Sequence, residues 1–140
     1  MPGLIRAAVA LMLAAGPALA DWTYDPATQR AQPADPVGPF LAVTCAAPFI
    51  DLTLEGHAPP EADTVFLLSI DDETWASGAV CRDGVCLMDV GPVPMARAIF
   101  AGLRAGETAR VTDVNGAEIV TVPLAGARPA IVPVLDACPL

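Results

Sequence analysis

From Phe40 onward, apolar and polar residues alternate along the chain. Leu41, Val43 and Cys45 interleave with Ala42 and Thr44, and Ile50, Leu52 and Leu54 interleave with Asp51, Thr53 and Glu55. A period of two places one set of side chains on a core face and the other in water, so both segments are predicted strands. Residues 64–70 (Thr-Val-Phe-Leu-Leu-Ser-Ile) are almost wholly apolar, which predicts a central strand buried on both faces. Residues 74–81 and 85–90 read as two further strands joined at Asp83-Gly84. The period then changes. Met95, Ile99 and Leu103 lie four apart, Pro94 precedes them and Gly106 follows, which predicts a helix over 95–104. Residues 107–114 and 117–124 flank Asn115-Gly116, a pair that favours a two-residue hairpin turn because both positions accept positive φ.

The two ends of this pattern are less regular. Residues 21–39 are polar and carry Pro26, Pro33, Pro36 and Pro39, which suits an extended N-terminal arm or an edge strand. Residues 127–136 are compatible with a helix, but Pro129 and Pro133 cannot both occupy a first turn, so a kinked or very short helix is expected. Together these elements predict one mostly-β domain over 40–140, an antiparallel β-sandwich with one or two short helices. The density of proline supports short strands and turns, since thirteen of the fifteen prolines follow residue 20.

Residues 1–20 follow a different logic. Arg6 supplies a positive charge, residues 7–15 are uninterruptedly apolar, Gly16-Pro17 breaks the run, and Ala18-Leu19-Ala20 places small residues where a signal peptidase reads. This is the three-part pattern of a secretory signal peptide cleaved after Ala20. Its apolar run is far shorter than the roughly 20 residues that span a bilayer, and no later run is long enough, so no membrane span is expected after cleavage. An exported chain with such a leader belongs in the periplasm of a Gram-negative bacterium or in its surroundings. After residue 20 the charged set is six arginines, no lysine and sixteen acids. A surface that acidic repels phosphate and argues against nucleic acid as a partner.

The even cysteine count matters in that compartment. In an oxidising environment Cys45, Cys81, Cys86 and Cys138 read first as disulfides. If Asp83-Gly84 is a two-residue turn, Arg82 pairs with Val85 and Cys81 faces Cys86 on the next rung, within reach of a bridge. Cys45 and Cys138 then pair by elimination. Two other chemistries use close thiols. A redox motif has two residues between its cysteines at a helix N-terminus, whereas four separate Cys81 from Cys86 on a predicted hairpin. A structural zinc site usually draws its ligands as two close pairs, and neither Cys45 nor Cys138 has a near neighbour. No metal is therefore assigned to these residues.

The remaining polar candidates carry little chemistry. His57 is the only histidine and lies in a Gly-His-Ala-Pro-Pro loop; a general base would also require a nucleophile and an orienting acid. Asp71-Asp72-Glu73 lacks the alternating oxygen ligands of a calcium loop and reads as a solvated turn. Trp22 and Trp75 read as edge or core packing. Neither a phosphate-binding glycine loop nor a nucleophile elbow is present, so no catalytic residue and no cofactor is assigned. Arg82 and Asp83, at the tip of the stapled hairpin, are the candidate binding residues.

Three stretches together resemble the invasion-associated locus B family of small exported alphaproteobacterial proteins. They are Cys81-Arg82-Asp83-Gly84-Val85-Cys86, the helical Ala98-Ile99-Phe100-Ala101-Gly102-Leu103-Arg104-Ala105-Gly106, and Val122-Pro123-Leu124-Ala125-Gly126-Ala127-Arg128-Pro129-Ala130. The resemblance covers residues 79–130. It implies a periplasmic or surface-associated β-sandwich, linked in some members to host-cell entry, and carries no catalytic residues.

The resulting expectation is an exported, non-enzymatic protein that works by binding another protein. The alternative is a small periplasmic carrier of a ligand or metal, with His57, Met88 and Met95 as soft or borderline ligands.

Overall fold

The computed structural model describes residues 21–57 and 62–140. The expected leader at 1–20 lies outside the described residues, as do Pro59 and Pro60 of the expected loop. Strands β1 (Trp22–Asp25), β2 (Arg30–Pro33), β3 (Phe40–Ala46), β4 (Phe49–Glu55), β5 (Asp63–Ile70), β6 (Glu73–Arg82) and β7 (Val85–Met88) come first. Helix α1 (Val93–Ala105) follows, then β8 (Thr108–Asp113), β9 (Glu118–Pro123) and helix α2 (Ala127–Ala137). All nine strands share one sheet in the order β1-β2-β3-β4-β7-β6-β5-β8-β9, and every neighbouring pair is antiparallel.

The alternation in the chain becomes sidedness in this sheet. Leu41, Val43 and Cys45 of β3 lie opposite Leu54, Leu52 and Ile50 of β4. The same face continues through Cys86 and Met88 of β7, Ala79 and Cys81 of β6, and Phe66, Leu68 and Ile70 of β5. These residues join Ile99, Phe100 and Leu103 of α1 and Ile131 and Val134 of α2 in one buried cluster. The mostly antiparallel β fold with two helices is as expected, and its strands run as a single continuous ladder with both helices packed on its buried face. That ladder curls. β3 approaches β9, and the Trp22 indole N–H donates to the Pro123 carbonyl at 3.1 Å, 101 residues away.

Several local details differ from the sequence expectation. β5 is interior to the sheet, between β6 and β8, yet only one of its faces is covered: Phe66, Leu68 and Ile70 are buried while Val65 is exposed. The segment expected at 21–39 as an arm or an edge strand does supply the edge strand β1, but it adds β2 as well, and Trp22 and Ala31 are buried in the core. The Asn115-Gly116 turn is a longer loop. Only Gly116 has positive φ there. The Asp113 carboxylate accepts the N–H groups of Asn115 and Ala117, and the β8–β9 register shifts after Val111. This is a three-residue hairpin loop with a bulge, organised by an aspartate side chain.

The helices also show why spacing alone misleads. Gly106 does end α1, but its φ is −78°, which any residue tolerates. Glycine is needed there for proximity, because a Cβ would lie 2.9 Å from both the Asp71 carboxylate and Ile70 Cγ2. Gly102, one turn earlier, likewise lets the helix approach Ile70. Helix α2 runs 11 residues straight through Pro133, longer than expected. Pro129 stands in the first turn, where no intrahelical partner for its nitrogen is required. Pro133 removes one hydrogen bond. Burial of Ala127, Ala130, Ile131 and Val134 offsets that loss.

Cys138 caps α2 and is bridged to Cys45 of β3, with Cα atoms 5.6 Å apart at a sequence separation of 93. A cross-link closing so long a loop removes much of the unfolded chain's freedom. Replacing Cys45 and Cys138 together by alanine is expected to lower stability by about 4–5 kcal/mol, and denaturant unfolding of the double variant measures it.

On the other face of the sheet, Arg30 reaches across Ala42 to Glu55. Its guanidinium pairs with the carboxylate at 2.7 Å and also donates to Gln32. The Thr53 hydroxyl donates to the same carboxylate at 2.8 Å. Burial pushes the Glu55 carboxyl up, but the hydrogen bonds from Arg30 and Thr53 and the Arg30 charge together hold it below its ordinary 4.5. A depressed folded-state value means the stabilisation is complete above the ordinary carboxylate value and is lost as pH falls through the folded value. Glu55→Gln is expected to cost about 1 kcal/mol at pH 7. That difference should shrink below about pH 4.5, where the wild-type carboxyl begins to protonate, and urea titrations at several pH values test it.

Candidate functional site

The Cys81–Cys86 hairpin folds as its sequence suggests. Asp83 and Gly84 both have positive φ, 54° and 78°, the signature of the turn that matches strand twist. Arg82 pairs with Val85 and Cys81 with Cys86, and the two cysteines are bridged across a Cα separation of 4.0 Å. Both lie on the core face and are buried. The sulfurs therefore hold the hairpin together beneath the surface. At the tip, the Arg82 guanidinium folds back to donate to the Cys81 carbonyl at 2.8 Å, while Asp83 is exposed.

The hairpin tip borders a larger feature. The strands present alternate residues away from the helices, and on β5, β6 and β7 those residues are apolar. Val65 is 43% exposed, Val80 45%, Val85 37% and Leu87 46%. Val80 lies directly opposite Leu87, and Val65 lies opposite Gly78. Arg82 and Val85 form the next rung towards the tip. Aspartates flank this patch. Asp63 is opposite Val80, while Asp51 and Asp89 lie one residue beyond the Leu52–Met88 rung. Val80, Leu87 and Gly78 with the three aspartates line an open depression of about 520 Å³.

Towards β3, the same face is polar and self-satisfied, closed by the Arg30–Glu55 pair. That is the one ion pair among the described residues. The apolar half has no such internal partner. Contiguous exposed apolar residues with a polar rim mark interaction surfaces.

The other sequence candidates are engaged elsewhere. His57 meets Phe66 edge-on, with ring centroids 6.1 Å apart. Met88 is buried opposite Leu52, and Met95 covers Gly91 on α1. Asp71 is more than a solvated turn: its carboxylate accepts the N–H groups of Glu107 and Thr108 at 3.1–3.2 Å, tying the β5–β6 turn to the start of β8. A second depression of about 520 Å³ beside it runs between Trp75 and the small residues of α1. Trp22 and Trp75 are buried and half-buried respectively.

Sequence reasoning placed Arg82 and Asp83 but passed over Val65, Gly78, Val80 and Leu87. The available signal was that β5, β6 and β7 carry apolar residues at both parities of the alternation, more than a half-buried strand requires. No family model, curated protein or solved structure matches the chain.

Because Val80 and Leu87 are about half exposed, the fold depends little on them. Replacing both by threonine is expected to change the unfolding free energy by less than about 1 kcal/mol, as read from chemical denaturation beside the wild type.

Proposed function

We propose that the protein is exported and acts without catalysis, binding another protein through the open face of its sheet. The observation that carries this reading is the apolar patch formed by Val65, Val80, Val85 and Leu87, on an otherwise strongly acidic chain. The exposed parts of these valines and this leucine, on three adjacent strands, add nothing to the fold, whereas their burial against a partner would release about 25 cal/mol per Å² of apolar surface. The two disulfides suit an oxidising compartment, and the leader pattern at 1–20 directs the chain there. The periplasm or the outer cell surface of a Gram-negative bacterium is the proposed location. Membership of the invasion-associated locus B family is part of the same proposal, supported by the stretches within residues 79–130. The rigid hairpin tip with Arg82 and Asp83 would extend the contact.

Immobilised protein exposed to periplasmic extract, with captured proteins identified by mass spectrometry, tests this reading. The expected result is a specific partner retained by the wild type and lost when Val80 and Leu87 are both replaced by aspartate. Recovery of no partner under any condition would count against it. A metal or small molecule found on the purified protein by native mass spectrometry would instead favour a carrier using His57, Met88 and Met95.

A further inference from the structure

One position on the open face lacks a side chain without a reason in the fold. Gly78 stands in the interior of β6, where glycine weakens a strand because it costs chain entropy and leaves nothing to pack. Elsewhere the described glycines answer to the backbone or to packing. Six adopt positive φ, and Gly102 and Gly106 would press a Cβ onto Ile70. Gly78 does neither: its φ is ordinary, and a Cβ built on it meets nothing within 4 Å. A strand glycine with no bulge beside it and no packing demand leaves room for another backbone or ligand to approach closely.

Its surroundings define what could approach. Val65 lies across from it on β5, and the Gly78 carbonyl accepts the Asp89 N–H on the other side. Val80, two residues on, is paired with Leu87. Gly78 is thus the floor of a socket with Val65 and Val80 on its apolar sides and Asp89 across from Val65, at the edge of the depression rimmed by Asp51, Asp63 and Asp89. No arginine lines that depression, and none of the three carboxylates has an ion-pair partner among the described residues. Asp51 of β4 and Asp89, just past the end of β7, lie one step beyond the shared Leu52–Met88 rung, an arrangement of like charges that favours a cation between them. The nearest pattern that satisfies both features is an extended polypeptide with a bulky apolar side chain flanked by lysine or arginine.

We propose that the partner presents such a basic segment, seating one apolar side chain over Gly78 while its cations pair with Asp51, Asp63 and Asp89. This names the partner's chemistry for the binding face and rests on that reading.

The probe is a fluorescein-labelled peptide alternating arginine with leucine and tryptophan, titrated by anisotropy against the disulfide-bonded protein. A matched peptide with glutamate for arginine serves as the control. Saturable binding of the arginine peptide alone, weakening as salt rises, is expected. Gly78→Val places a strand-favouring residue where there is space for it, so Tm should hold or rise while affinity falls by at least about tenfold. Replacing Asp51 and Asp63 by asparagine should weaken binding and flatten its salt dependence. Equal affinity for Gly78→Val and wild type, or equal binding of the glutamate peptide, would overturn the proposal. The captured partner separates the two levels: if Gly78→Val still retains it, the socket is wrong and protein binding stands. If the wild type retains none, the binding reading itself fails and the socket falls with it.

Discussion

Nine strands in one sheet offer two faces, and helices α1 and α2 can cover only one. Much of the rest follows from that coverage. The covered face collects the buried cluster, because removing apolar area from water is the largest force favouring the folded chain. Both helices must then be held against the sheet. α1 is drawn onto Ile70 by Gly102 and Gly106. α2 packs on α1 and on β1, β2 and β3, and its last turn is tied to β3 through Cys138. The Trp22 indole, bonded to Pro123 across the ends of the curled sheet, keeps the first and last strands near one another.

The uncovered face divides into two regions with different chemistry. Near β3 it is closed by a network in which Arg30, Gln32, Thr53 and Glu55 satisfy one another over Ala42. Such a network makes that region polar and complete. Near β5, β6 and β7 the same face is apolar with an acidic rim. Its carboxylates lack ion-pair partners among the described residues. The proposed binding face is this second region because its exposed apolar groups gain most from an external partner, whereas the polar groups of the first already pair with one another.

The cysteines contribute by geometry alone. The Cys81–Cys86 bridge faces the core from a hairpin whose outer residues belong to the open face. It holds the register of β6 against β7 and so holds Val80 opposite Leu87. The Cys45–Cys138 bridge does the same for the helical layer. Both limit how far the strands and helices can shift against one another, and at the proposed binding face such rigidity would reduce the ordering cost of association.

Strands β3 to β9, the α1 helix and the Cys81–Cys86 pairing were legible in the sequence, because each depends on local periodicity or on a turn whose φ requirements are visible in its residues; Cys45–Cys138 followed only by elimination. Asp83-Gly84 is the clearest case: the turn alone sets Cys81 opposite Cys86. Non-local features were not legible. Alternation shows that a strand has two faces but not whether the second is covered, so β5 reads as buried on both sides until the helices are seen on one. Gly106 looks like a helix stop by position, and only its approach to Asp71 and Ile70 reveals why glycine is needed. The same holds for Gly78. Its emptiness becomes meaningful only when pairing sets Val65 on one side of it and Asp89 on the other, because a socket is a relation between strands distant in the chain. Local periodicity determined which segments became strands or helices, and the order of strands in the ladder decided which side chains meet.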